Sequence, residues 1–96
     1  MPKAYWMVRV TVNNADNYPE YVKAAKPAFE KYGARFIVRG GRFERFEGRS
    51  RDRNGVLEFK DFETAKACYL SPEYQAAAKI RHANADADFI IVEGVE

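Results

Sequence analysis

An α+β fold is the expectation for this 96-residue chain, and three observations lead to it. Ala4–Val12 alternates apolar residues at the period of a strand. Tyr18–Tyr32 repeats them at the period of a helix. Beyond these come two further strand-like runs, a second helical region and a last strand. The order is β-α-β-β-α-β, with the second helical region broken in two, which is the ferredoxin-like pattern of an antiparallel sheet with helices on one face.

The first strand puts Trp6, Val8, Val10 and Val12 on one face and Tyr5, Met7, Arg9 and Thr11 on the other. Residues 13–17 form a turn. Asp16 or Asn17 can cap the next helix, and Glu20, three residues after Asn17, completes the spacing of a capping box. Tyr18, Tyr21, Val22, Ala25, Ala28, Phe29 and Tyr32 carry the apolar stripe, Pro27 removes one hydrogen bond and bends the helix, and Gly33 stops it. Residues 34–40 read as the second strand, with Phe36 and Val38 on one face and Arg35, Ile37 and Arg39 on the other. Gly40-Gly41 then breaks or bulges it, residues 42–47 continue as an edge ribbon, and residues 48–54 are a polar loop. Asn54-Gly55 marks a turn into a third strand at residues 56–60. Asp61 caps a helix over Phe62–Leu70. Ser71 and Pro72, a good N-cap and a good first helical residue, restart a helix that runs to about residue 82 or 84. Residues 88–93 are the last strand.

In this topology the first and third strands are central neighbours and the second flanks the third. The sheet face without helices exposes Tyr5, Met7 and Ile37, and a two-fold dimer is the simplest way to cover it. The expectation is one ferredoxin-like domain over residues 1–96, its subunit forming a dimeric α+β barrel.

Composition excludes more than it assigns. One cysteine, Cys68, rules out an internal disulfide framework and fits a reducing compartment, so a cytoplasmic location is expected. Neither a signal-peptide pattern nor an apolar run of membrane-spanning length occurs, and no membrane partner is expected. One His and one Cys cannot make a zinc site of the usual N/S type, no glycine-rich phosphate loop follows a strand, and neither metal nor cofactor is expected. The net charge of +2 is small. Residues 39–53 hold six arginines against three acids, a local +3 that leaves the rest near −1. That segment interleaves Phe43 and Phe46, but the third strand offers Val56, Glu58 and Lys60 to the open face rather than stacking rings. Nucleic acid is therefore not the expected partner.

Several residues could carry chemistry. By alternation and strand order Arg9, Arg39 and Glu58 share the open face. They would form either an Arg–Glu–Arg ladder that sets register or an anion pocket with one guanidinium free to clamp a carboxylate. His82, the only histidine, would suit general acid–base work, or simply faces solvent near a helix C-terminus. Tyr69, Ser71 and Tyr74 flank the helix break, where free N–H groups could take an anion or Ser71 could cap the helix. Cys68 shares a stripe with Ala65 and Tyr69 and reads as buried packing.

The residues Ala4-Tyr5-Trp6, Lys26-Pro27-Ala28-Phe29, Gly33-Ala34, Arg39-Gly40-Gly41, Leu57-Glu58-Phe59, Ser71-Pro72-Glu73-Tyr74-Gln75 and Val92-Glu93-Gly94, in that order, resemble the family called domain of unknown function 1330. The resemblance implies a dimeric α+β barrel in which two ferredoxin-like sheets face each other, and it carries no catalytic residue or cofactor. Two functional classes stay open. One is a cofactor-independent enzyme of isomerase or oxygenase type acting on a small anionic or carbonyl compound. The other is a non-catalytic small-ligand-binding or stress-related module.

Overall fold

The computed structural model describes residues 2–96. Seven elements follow in order: β1 (Ala4–Val12), α1 (Tyr18–Tyr32), β2 (Arg35–Arg39), β3 (Arg53–Phe59), α2 (Phe62–Leu70), α3 (Pro72–Asn84) and β4 (Ala85–Glu93). The four strands make one antiparallel sheet in the order β2-β3-β1-β4, with the helices on one face. This is the expected α+β, ferredoxin-like arrangement.

Alternation along β1 sends Ala4, Trp6 and Val10 into the core. Across the sheet Trp6 lies between Leu57 of β3 and Ile91 of β4. Trp6 is the centre of the packing: its ring meets Phe29, Phe59, Tyr69, Tyr74 and Phe89 at centroid separations of 4.8–6.1 Å. Edge-to-face pairs of this kind add to the gain from area burial. The indole N–H donates to the Ala65 carbonyl at 2.9 Å, so the core ring leaves no buried donor unpaired.

Local chemistry sets the helix ends. Asp61 accepts the Thr64 N–H at 2.8 Å and caps α2. Ser71 closes one helix and opens the next: its Oγ donates to the Cys68 carbonyl at 2.6 Å and accepts the Tyr74 N–H at 3.1 Å. Gly33 takes a left-handed φ of 68° and returns its N–H to the Phe29 carbonyl, ending α1. The expected Asn17–Glu20 capping box does not form. Asn17 has a near-helical backbone without a side-chain cap, and Asn14 instead makes the turn through its side chain to the Asp16 N–H. α1 continues through Pro27 as one element.

Three boundaries differ from expectation. Residues 42–47 are not an edge ribbon: β2 stops at Arg39, and an exposed irregular segment follows. Asn54-Gly55 is no turn, since β3 begins at Arg53 and Gly55 pairs with both Val8 and Arg39. β4 begins at Ala85, three residues early, because Ala85 and Ala87 face inward against β1 while Asp86 and Asp88 face out. Gly94 follows β4 with its N–H on the Lys3 carbonyl at 2.8 Å, where a Cβ would meet the Tyr5 ring at 2.9 Å and force it to shift.

α1 packs chiefly on α3, and α2 and α3 make the closer contacts with the sheet. The backbone of α1 therefore stands off the β2–β3 half, and every residue of β2 is exposed. That gap opens a cleft between α1 and the sheet.

Candidate ligand-binding cleft

A cleft of about 730 Å³ lies between α1 and the helix-side face of β1, β3 and β2. Trp6, Phe29, Phe36 and Leu57 make its apolar wall. Its size falls within the range of small-molecule sites, and an apolar wall with few polar groups is their usual composition.

Two guanidiniums stand in its lining. Arg39 lies 4.6 Å from the Phe36 ring centroid, and Arg53 lies 5.2 Å from that of Tyr18. Among the described residues neither has a carboxylate within 4.0 Å. A guanidinium held over a ring by cation–π attraction, without a carboxylate partner, has N–H donors left to take a ligand carboxylate. Lys26, Glu30 and Asp52 complete the charged groups of the lining.

Besides Lys26 and Glu30, α1 contributes two phenols. Tyr18 and Tyr21 line the cleft, and the Tyr21 hydroxyl meets the Tyr74 hydroxyl at 2.8 Å. Burial pushes the Tyr21 phenol well above its ordinary value, and the neighbouring Tyr74 phenol pushes it further. Burial likewise raises Tyr18, against the pull of Arg53 and Arg81, and Tyr74, against the Tyr21 hydroxyl and Arg81. These side chains therefore stay protonated and serve as hydrogen-bond donors.

The expected triad of Arg9, Arg39 and Glu58 does not assemble. Pairing shifts between Phe36 and Val38, where a bulge inserts one residue into β2. Phe36 opposes Leu57 on the helix side, and Val38 opposes Val56 on the open side. Arg39 opposes Gly55 and so returns to the helix side. Arg39 and Glu58 are thus on opposite faces. Glu58 pairs instead with Lys3 at 3.3 Å and Arg35 at 4.0 Å. Arg9 stays on the open face, opposite Asn54 on one side and Asp88 on the other, and Asp88 is held by Arg51 at 2.8 Å.

The other candidates also separate. His82 is exposed in the last turn of α3. Tyr69 packs its ring on Trp6, Tyr74 and Phe89, and its carbonyl accepts from Gln75. At the start of α3, the Tyr74 and Gln75 N–H groups go to the Ser71 side chain and carbonyl, which leaves the helix break as a cap rather than an anion site. Neither Tyr69 nor Ser71 lines the cleft. Cys68 is fully buried, its thiol against the Ala28 carbonyl, and burial followed by the Glu73 charge pushes it up to about 12.

Sequence reasoning passed over Tyr21, Arg53 and Arg81 as functional groups. Arg81 did leave a signal. Tyr74, Ala77, Ala78 and Arg81 follow the i, i+3, i+4, i+7 spacing of a buried stripe, and a charge at the last position of such a stripe is anomalous.

Among the described residues, no group of three or more His, Cys, Asp or Glu comes together to hold a metal ion, and no helix is long and apolar enough to cross a membrane. A family model described as domain of unknown function (DUF1330) matches residues 3–95. No curated protein matches the chain. Among solved structures, a protein of unknown function from Rhodopseudomonas palustris is similar at 18% identity with a TM-score of 0.79, over 99% of this chain and 84% of its own. SnoaB, a cofactor-independent oxygenase from Streptomyces nogalater, is similar at 13% identity and a TM-score of 0.66, over 100% of this chain and 96% of its own. A dimeric ferredoxin-like protein of unknown function from Bacteroides fragilis is similar at 14% identity and a TM-score of 0.58, over 96% of each chain. At such identities the likeness carries the fold.

Proposed function

The chain belongs to the DUF1330 family, a domain of unknown function, and from that premise we propose that the cleft beneath α1 is the substrate site of a cofactor-independent enzyme acting on a small aromatic or conjugated compound that bears a carboxylate or carbonyl oxygen. One observation carries this: an apolar cleft of about 730 Å³ holds two ring-stacked guanidiniums without carboxylate partners and a protonated phenol. The flat body of the ligand lies against Trp6, Phe29 and Phe36. Arg39 and Arg53 take its carboxylate. Tyr21 donates to the oxygen on which negative charge develops, the kind of preorganised donor that lowers the barrier to forming an enolate. The oxygenase SnoaB shares the fold and supports this class of chemistry by analogy.

The homodimer belongs to the same reading. The open sheet face presents Met7, Val38, Ile90 and Val92, each at least 40% exposed, and dimeric ferredoxin-like relatives support covering it with a second copy. Light scattering at micromolar concentration should return about twice the 11.0 kDa chain mass. A single reduced, buried Cys68 suits a cytoplasmic protein.

The test of function is calorimetric titration with benzoate and naphthoate, followed by oxygen-uptake and proton-exchange assays on the ligands that bind. Saturable binding lost in Arg39→Ala supports the site. Binding without turnover of any ligand favours a non-catalytic binding module. No binding at all rejects the cleft.

A further inference from the structure

Arg81 is the least explained charge in the molecule. It lies on α3, 4% exposed, and its Nε is buried without a hydrogen-bond partner. No described carboxylate comes within 4.0 Å of it. A guanidinium cannot shed its proton, so it is a permanent buried cation without a counter-ion. Such a charge is costly to keep, and neutral residues of similar volume generally replace buried ions without loss of stability. A purely structural role would not require arginine.

Its surroundings say where the charge is felt. The guanidinium carbon lies 6.0 Å from the Tyr21 ring centroid and 5.6 Å from that of Phe89. The groups facing it are Tyr74 of its own helix, Tyr21 and Tyr18 of α1, Tyr69 of α2 and Phe89 of β4. Arg81 does not line the cleft, but Tyr21 does, and Tyr21 meets Tyr74 at 2.8 Å. A guanidinium only donates. Either hydroxyl can donate across their 2.8 Å contact; the inferred orientation has Tyr74 donating to the Tyr21 oxygen and Tyr21 donating into the cleft. Each bond polarises the next in the same sense.

We infer that Arg81 is a positioning residue that acts through the Tyr74 and Tyr21 hydroxyls to make the α1 side of the cleft selective for an oxyanion conjugated to a ring, a phenolate or enolate oxygen. The ligand's negative oxygen is the missing counter-ion. This rests on the cleft reading and deepens it: Arg81 is named as the source of the oxyanion preference at the Tyr21 end, apart from the carboxylate grip of Arg39 and Arg53.

The probes are 4-nitrophenol, whose absorbance reports its ionisation, and 4-nitroanisole, its neutral methyl ether. The wild-type protein should bind the nitrophenolate about tenfold more tightly than the ether, and the bound phenol should titrate about one unit lower than the same probe bound to Arg81→Met. Arg81→Met should keep its affinity for the ether while losing that preference. Tyr74→Phe leaves Arg81 in place but removes the middle hydroxyl, and it should show the same loss. It decides the matter if Arg81→Met fails to fold. An unchanged preference and an unchanged probe titration in Tyr74→Phe, or no preference in the wild type, overturn the inference while ether binding upholds the cleft. Failure of both probes to bind the wild type overturns both.

Discussion

Replacing Ser71 by alanine tests how the chain turns from α2 into α3. The hydroxyl makes two bonds in a buried place. It accepts the Tyr74 N–H at 3.1 Å, and loss of an N-cap acceptor costs about 1 kcal/mol. It donates to the Cys68 carbonyl at 2.6 Å, a bond whose net value is about 0.5–1.5 kcal/mol. That carbonyl also accepts the Ser71 N–H at 3.2 Å, so alanine does not leave it orphaned, and the second loss stays at the net value. The total is about 2 kcal/mol, which in a domain of this size lowers Tm by roughly 8–16 °C. Thermal denaturation followed by circular dichroism, at one fixed protein concentration because the proposed dimer makes Tm concentration-dependent, reads it directly. Ser71→Asp, which can still accept at the cap but cannot donate to Cys68, should fall between the two. A Tm within about 3 °C of wild type for Ser71→Ala would refute the reasoning. Weakened binding of anions with unchanged stability would return the helix break to the status of a binding site.

Three further outcomes follow from the same structure. Cys68 should resist a thiol reagent in native buffer and react only as fast as the protein opens. Because its thiol is raised on folding, its contribution to stability is present below the ordinary thiol range and is lost as pH climbs from there towards about 12; rapid native labelling would contradict the burial. Glu58→Gln should cost the subunit under about 1 kcal/mol in urea denaturation, since its partners Lys3 and Arg35 are exposed, and a larger loss would mean that the open face is covered more tightly than a single subunit shows. Thr64, through its side chain and then its N–H, holds the Asp61 carboxyl below its usual range, so that cap stabilises above the ordinary carboxylate pKa and is lost as pH falls through the depressed one. Asp61→Asn should flatten the acid limb of the stability curve, and an unchanged limb would place that pH dependence elsewhere.

The topology was legible because its signals are local. Trp6, Val8 and Val10 alternate, Asp61 and Ser71 announce two helix starts, and Gly33 announces a stop. The site was not, because its geometry depends on a bulge that no residue marks. Gly40-Gly41 suggested an irregularity just after β2, whereas the inserted residue lies between Phe36 and Val38, in a run of good strand formers. One residue of offset turned Arg39 from the open face to the cleft and gave its expected place beside Glu58 to Arg35. Asn54-Gly55 misled in the opposite direction: a strong local turn signal yielded to pairing with β1 and β2 on both sides. The first residues of β4 were missed because alanine and aspartate are weak strand formers, and only their partners on β1 hold them extended. Arg81 stands in the sequence as a charge within an apolar stripe, beside the rarer and chemically more conspicuous His82.

The proposed site between α1 and the β2–β3 half of the sheet should take up a small aromatic anion. Mapping amide chemical-shift changes by NMR during a benzoate titration tests it most directly. Saturable shifts should concentrate at Trp6, Tyr21, Phe29, Phe36, Arg39 and Gly55, which surround the cleft, and should vanish in Arg39→Ala. Shifts clustered instead at Met7, Val56 and Ile90 on the open face, or no saturable shift anywhere, would contradict the account.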